Sequence, residues 1–188
     1  STNWAISAQD SRSGTQGLSD YGRDIIRKMD ELGMIIDVSH TGIKTIEDIL
    51  DVTQNPIIAS HSGVRAINNH YRNLYDEQIV AIANSGGVIG VVFYPYFLTG
   101  GSASISDVVE HINYIVDLVG VEHVAIGSDF DGIGVTPSGL NDVSDFPALT
   151  EALLLEGYTI DEVDKIMGKN FLRVFKLVCN KPVSRHTK

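Results

Sequence analysis

The 188-residue sequence holds a single cysteine, Cys179, which excludes an intrachain disulfide framework and a zinc site built on thiolates. No apolar run reaches the roughly 18 residues a bilayer-spanning helix needs, so no membrane segment is expected. Basic residues are scarce: 14 Lys and Arg stand against 24 Asp and Glu, a formal net charge of −10. A surface this acidic argues against nucleic acid or an anionic membrane as the main partner. Ser1-Thr2-Asn3-Trp4 is neither a basic-then-apolar leader nor a transit peptide, and the polar last residues offer no tail for a lipid anchor. The sequence has no Gly-x-Ser-x-Gly elbow and no P-loop. Gly132-Ile133-Gly134 is a poor dinucleotide turn, because Pro137 and Ser138 stand where a helix has to open. What remains is ordinary globular composition, 43% hydrophobic and 20% charged, long enough to bury a core. The length favours one domain over 1–188.

What is present alternates. Residues 1–19 are rich in Ser, Gly and Thr, lack a period and read as loop. Ser19-Asp20 caps a helix carrying Ile25, Ile26, Met29 and Leu32, and Gly33 stops it. Short apolar strands are expected at 34–38, 56–60, 88–94 and 121–126. Helices are expected at 43–52, 76–84, 106–119, 147–156, 160–167 and 170–178. Continuous apolar strands separated by helices mean βα units and a parallel sheet, an α/β fold.

In such folds chemistry collects at the carboxyl ends of the strands. The first expected strand runs into Ser39-His40, the second into Ser60-His61-Ser62, the third ends near Tyr94, and the fourth runs into Asp129-Phe130-Asp131. His40 and His61 occupy equivalent positions one βα unit apart. If their strands are neighbours, the ends lie about 5 Å apart, and both imidazoles can reach one metal ion. The alternative is two separate hydrogen-bonded histidines, but the equivalence favours a shared site. Two ligands do not complete a zinc site. Asp129 reads either as a metal neighbour or proton carrier, or as ordinary turn chemistry. Arg72, in His70-Tyr71-Arg72-Asn73, reads either as a bidentate partner for a substrate carboxylate or as a solvated arginine. His70, His111, His123 and His186 follow no strand end and read as surface or helix-packing residues. Cys179 reads as core.

Four stretches then carry a resemblance. They are Leu32-Gly33-Met34-Ile35-Ile36-Asp37-Val38-Ser39-His40, Pro56-Ile57-Ile58-Ala59-Ser60-His61-Ser62, Tyr71-Arg72-Asn73 and Gly127-Ser128-Asp129-Phe130-Asp131-Gly132. With the trailing Asn170-Phe171-Leu172-Arg173-Val174-Phe175, they resemble, in order and spacing over about residues 3–178, the zinc membrane-dipeptidase (renal dipeptidase) family of metallopeptidases. The resemblance implies a metal-dependent-hydrolase (β/α)₈ TIM barrel with two Zn²⁺ ions that hydrolyses dipeptides, often tolerating a D-residue at the C-terminal side. It implies that His40 and His61 bind one zinc. It further implies that Arg72 holds the substrate carboxylate and that Asp129 moves the proton to the leaving amine. Asp37, Ser39, Ser60 and Asp131 are candidates for orienting the ligands.

The family's His-x-Asp pair, bridging glutamate and substrate-binding histidine have no match in this sequence. A full barrel takes about 250 residues, so the chain is expected to be the C-terminal half, strands five to eight. Full activity would then need an N-terminal half-barrel, as a separate chain or a missing segment; a homodimer of half-barrels is the other pairing. The rival functions are another small-amide or lactone amidohydrolase, and an inactive half-barrel that only binds. One cysteine and the lack of a lipid-anchor tail lean towards a bacterial cytoplasmic protein.

Overall fold

The computed structural model of the chain describes residues 1–180; His186 lies outside them. Helix α1 (Asp20–Leu32) begins where the Ser19 side chain accepts the Gly22 N–H and ends at Gly33, whose φ of 67° is the left-handed cap expected of a stop glycine. Leu32 departs from the expected buried stripe and is exposed. After α1 the chain passes through 34–38, helix α2 (Ile43–Val52), strand β1 (Ile58–Ser62), helix α3 (Asp76–Asn84), strand β2 (Val88–Val91) and the one-turn helix α4 (Pro95–Leu98). Helix α5 (Ile105–Val119), strand β3 (Val124–Ile126) and helices α6 (Phe146–Glu156), α7 (Ile160–Asp164) and α8 (Asn170–Cys179) complete the order. The three strands are parallel, in the order β1-β2-β3. The alternation of periods therefore reports the fold class correctly.

The strand boundaries differ from expectation, each for a local reason. Residues 34–38 form no regular strand, only a single parallel bridge from Asp37 to Ile58, and Met34 is exposed. Among the described residues this segment pairs on one side alone, through Val38 N–H to the Ile58 carbonyl and Ile58 N–H to that of Ile36. Pro56 cannot donate to a ladder, so β1 starts two residues later and includes His61. Strand β2 stops at Val91, and Pro95 opens α4 as its first residue, where a missing N–H costs nothing. Val121–His123 is a 3₁₀ turn, which leaves β3 three residues. Between α7 and α8, Lys165–Lys169 widens into a π-turn in which Gly168 leaves helical geometry.

The sheet is apolar on both faces. Ile57, Ala59, Ile89, Val91 and Val124 join the main core with Ile46, Ile82, Ile112 and Leu149 from the helices. Ile58, Val88 and Ala125 pack instead with Val174 and Val178 of α8, and half-buried Cys179 lies against them, as its core reading required. Helix α8 also covers the amino ends of the strands. The Asn170 amide donates to the Val121 and Val124 carbonyls (2.7 and 2.8 Å), and Arg173 donates to those of Gly86 and Glu122. The opposite ends of the strands carry the polar residues.

The ladder contains one irregularity. Ala59 pairs with Ile89 and Ser62 with Val91, so β1 spends one residue more than β2 over the same interval. This bulge lies at Ser60 and His61, opposite Gly90. A Cβ at Gly90 would overlap the Ser60 carbonyl, and one at Gly127 would overlap the same oxygen. Glycine at both positions is what lets the bulged backbone sit there. Gly90→Ala should therefore lower unfolding stability by about 1–3 kcal/mol. Urea unfolding measures this, and an unchanged midpoint would show that the bulge does not need the space.

Candidate metal and substrate site at the carboxyl ends of the strands

Neighbouring residues of a regular strand face opposite sides. The bulge breaks that rule, and Ser60 Oγ lies 2.8 Å from His61 Nδ1. His61 Nε2 then faces His40 Nε2 at 3.0 Å, with ring centroids 5.0 Å apart. Asp129 Oδ2 stands 4.0 Å from the same His61 nitrogen. The equivalence of His40 and His61 in the sequence is thus proximity in space.

Two of the three residues hold uncommon backbone conformations. Among the described residues, His40 (φ 67°) and Asp129 (φ 61°) are the non-glycine residues with positive φ. That region costs an ordinary L-residue about 1–2 kcal/mol, and such strain collects at functional sites. The apparent loop at the start of the chain helps to hold it. Ala8 N–H donates to the His40 carbonyl (2.7 Å), Gly42 N–H donates to that of Ile6 (2.8 Å), and Ile6 is buried. Gly132 packs on Asp129 so closely that a Cβ there would overlap the carboxylate.

The imidazole pair fits a divalent transition metal such as zinc. Two nitrogens bound tetrahedrally at 2.0–2.1 Å stand about 3.3–3.4 Å apart, close to the separation here. Burial, with the nearby positive charge of Arg72 next, pushes His40 below the ordinary imidazole pKa and favours the neutral form that ligates metals. Among the described residues no cluster of three or more His, Cys, Asp or Glu side chains is placed to hold an ion. The described residues by themselves therefore do not assemble a complete coordination sphere.

Arg72 is not a solvated arginine: it is 6% exposed. Among the described residues its Nε and Nη2 are buried without a hydrogen-bond partner, and its guanidinium carbon lies 5.3 Å from the centre of the Phe97 ring. Buried unpaired donors on a charged group are rare. A planar fork of this kind suits a carboxylate. The loop presenting Arg72 is tied down by residues that the sequence reading set aside. His70 stacks on Phe97 and Tyr71, and its Nδ1 accepts the Arg72 N–H at 3.2 Å. Asn73 Nδ2 donates to the Phe97 carbonyl (2.7 Å) and the Asn68 carbonyl (2.9 Å).

His111 is fully buried on α5, not a surface residue. Its Nδ1 accepts the Val64 N–H (2.9 Å), so its Nε2–H donates to the Leu98 carbonyl (3.0 Å), joining the Arg72 loop to α4. His123 is half-buried, with Nδ1 2.9 Å from the Gly87 carbonyl. The signal for His70 and His111 was present but non-local: one stands two residues before Arg72, the other inside an apolar helix face. Asp131 is exposed and joins none of the site's hydrogen bonds among the described residues, so its reading as a residue that orients the ligands finds no support.

Burial pushes His111 below the ordinary imidazole pKa. The unfolded chain then takes up the proton first as pH falls. Stability is complete above about pH 6.5 and declines below it, towards the folded-state value. His40 and His70, also lowered chiefly by burial, add to the same trend. Urea unfolding between pH 7.5 and 5.5 should show this decline, and His111→Gln should flatten it; an unchanged slope in that variant would rule His111 out as a source.

Comparisons with known proteins identify the family and the fold it shares. An uncharacterised dipeptidase of Schizosaccharomyces pombe is 42% identical over 176 residues, covering 92% of this chain and 43% of that protein. An amidohydrolase from Pseudomonas aeruginosa superposes with a TM-score of 0.90 at 32% identity, covering 96% of this chain and 62% of that one. A metallopeptidase from Rhodobacter sphaeroides, crystallised with a phosphinate mimic of the dipeptide L-Ala-D-Ala, superposes with a TM-score of 0.84 at 30% identity over 90% of this chain and 49% of that one. The chain spans about two-fifths of the length of the curated relatives it matches. The membrane dipeptidase family (peptidase family M19) matches residues 1–186, and the chain belongs to that family.

Proposed function

We propose that the chain supplies the C-terminal half of a zinc-dependent dipeptidase. In this reading it is the part of a (β/α)₈ barrel comprising strands five to eight, with residues outside these 188 completing a two-zinc centre. The observation that carries the proposal is the convergence of His40 Nε2 and His61 Nε2 at 3.0 Å with Asp129 beside them. Supporting it, four segments pair in parallel, the Asp37 segment and β3 at the two edges.

The bound ions would supply a Lewis acid and a water acidified towards neutral pH. This chain's residues do the rest. Arg72 takes the free carboxylate of the substrate on its two unpaired donors, which limits the chain length that fits. Asp129 carries a proton to the leaving nitrogen, since its carboxylate stands next to the ligand pair, 4.0 Å from His61 Nε2. His40 and His61 remain neutral ligands. The phosphinate mimic bound by the Rhodobacter protein makes a dipeptide with a D-residue at its C-terminal side a reasonable first substrate.

A second reading, hydrolysis of another small amide or lactone, draws on the likeness to the Pseudomonas amidohydrolase. The two differ at Arg72. With the complementary half-barrel present and zinc supplied, dipeptides should be cleaved and their C-terminal amides should not. Arg72→Leu should raise KM for dipeptides by about 10–100-fold with less effect on kcat, as for a lost charged hydrogen bond of roughly 1.5–3 kcal/mol. Equal turnover of amidated substrates would favour the second reading. Asp129→Asn should retain zinc but lose about 10²–10⁴-fold in kcat. Normal turnover in that variant would remove Asp129 from proton transfer.

A further inference from the structure

The Ser60 hydroxyl has one proton and three neighbours able to take it. These are Asp37 Oδ2 at 2.5 Å, His61 Nδ1 at 2.8 Å and Ser39 Oγ at 3.4 Å. A carboxylate is the strongest of the three acceptors, and 2.5 Å is the length of a charge-assisted O–H···O⁻ bond. Asp37 is held in place, because its Oδ1 accepts the backbone N–H groups of Ser39 and Ser60, each at 3.0 Å. With its proton given to Asp37, Ser60 Oγ can only accept from His61. The ring hydrogen therefore sits on Nδ1, and a neutral imidazole protonated there carries its lone pair on Nε2.

Nε2 is the atom that faces His40. The backbone around it is fixed as well: His61 N–H donates to Ser39 Oγ (2.9 Å), which donates to the His61 carbonyl (3.3 Å). We propose that Asp37 and Ser60 are positioning residues that hold His61 as its Nδ1–H tautomer and so aim the Nε2 lone pair at the space shared with His40. The relay depends on the bulge, since a regular strand would put Ser60 and His61 on opposite faces. That this lone pair serves a metal rests on the function proposed above; the tautomer does not.

The same molecule provides an internal standard. His111 accepts a backbone N–H at Nδ1, which makes it the opposite tautomer, protonated at Nε2. Nitrogen-15 NMR correlation of the ring nitrogens, on the metal-free full chain at pH 7.5, distinguishes the two forms. His61 should show a protonated Nδ1 and His111 a protonated Nε2. In Ser60→Ala, His61 should lose its Nδ1–H preference while His111 keeps its signature, reporting an intact fold. Ser60→Thr, which retains the hydroxyl, should restore it. In Asp37→Asn the freed hydroxyl should donate to Nδ1 and move the ring hydrogen to Nε2. Zinc competition with a chromophoric chelator should then show affinity reduced about 10–100-fold in Ser60→Ala and Asp37→Asn, and recovered in Ser60→Thr.

A wild-type His61 protonated at Nε2 would overturn the proposal. So would an unchanged tautomer in Ser60→Ala with the His111 signature intact; if that variant lost the signature, Asp37→Asn would decide on the same criterion. The expected tautomer pattern with no zinc bound by the wild type would instead overturn the metal reading and leave the assignment of Asp37 and Ser60 standing.

Discussion

The Ser60 carbonyl occupies the space where any side chain at position 90 would stand, and the arrangement of the polar face depends on that overlap being avoided. Because Gly90 and Gly127 have no Cβ, β1 can take up one extra residue against β2. The extra residue puts two consecutive side chains, Ser60 and His61, within hydrogen-bond reach of each other. It also places His61 Nε2 against His40, which arrives from a different segment in a left-handed conformation. A regular ladder would send Ser60 or His61 into the apolar layer on the far side of the sheet.

The two ends of the sheet show opposite treatments of backbone polarity. At the amino ends, α8 satisfies backbone carbonyls with Asn170 and Arg173, although Arg173 Nε is itself buried without a hydrogen-bond partner among the described residues. At the carboxyl ends, Nε and Nη2 of Arg72 are left without a partner among the described residues, and His40 Nε2 and His61 Nε2 meet each other at 3.0 Å. The contrast is physical. An unpaired buried donor costs stability, and two on one side chain, as at Arg72, call for a specific explanation. The chain that carries this polar end belongs to the membrane dipeptidase family.

Much of this was legible in the chain. Helix positions followed from apolar spacing, and Ser19 and Gly33 cap α1 as their residue types require. The strands were recognised as short apolar runs, but their limits were not. Whether Pro56 or Val121 lies inside a ladder depends on a partner strand far away in sequence, and local pattern carries no information about that partner. His40, His61, Asp129 and Arg72 stood out because each lies at or just beyond an apolar run or in a known motif. His70 and His111 were passed over, because their importance lies in what they touch: a loop amide in one case, and Val64 with Leu98 in the other.

The sequence by itself determined the fold class, the acidic surface, the single cysteine and the four residues brought forward for chemistry, since composition, period and spacing are properties of the chain alone. Tertiary structure decided which of these residues meet. It resolved the two readings of Arg72 into a buried guanidinium with two donors unpartnered among the described residues. It also selected Asp37 and Ser60 from the four candidates for orienting the ligands, and brought in Gly90, which the sequence had not singled out. A hydrogen bond between Asp37 and Ser60, 23 residues apart, is decided by strand pairing and a bulge. Those arise only when segments distant along the chain pack together.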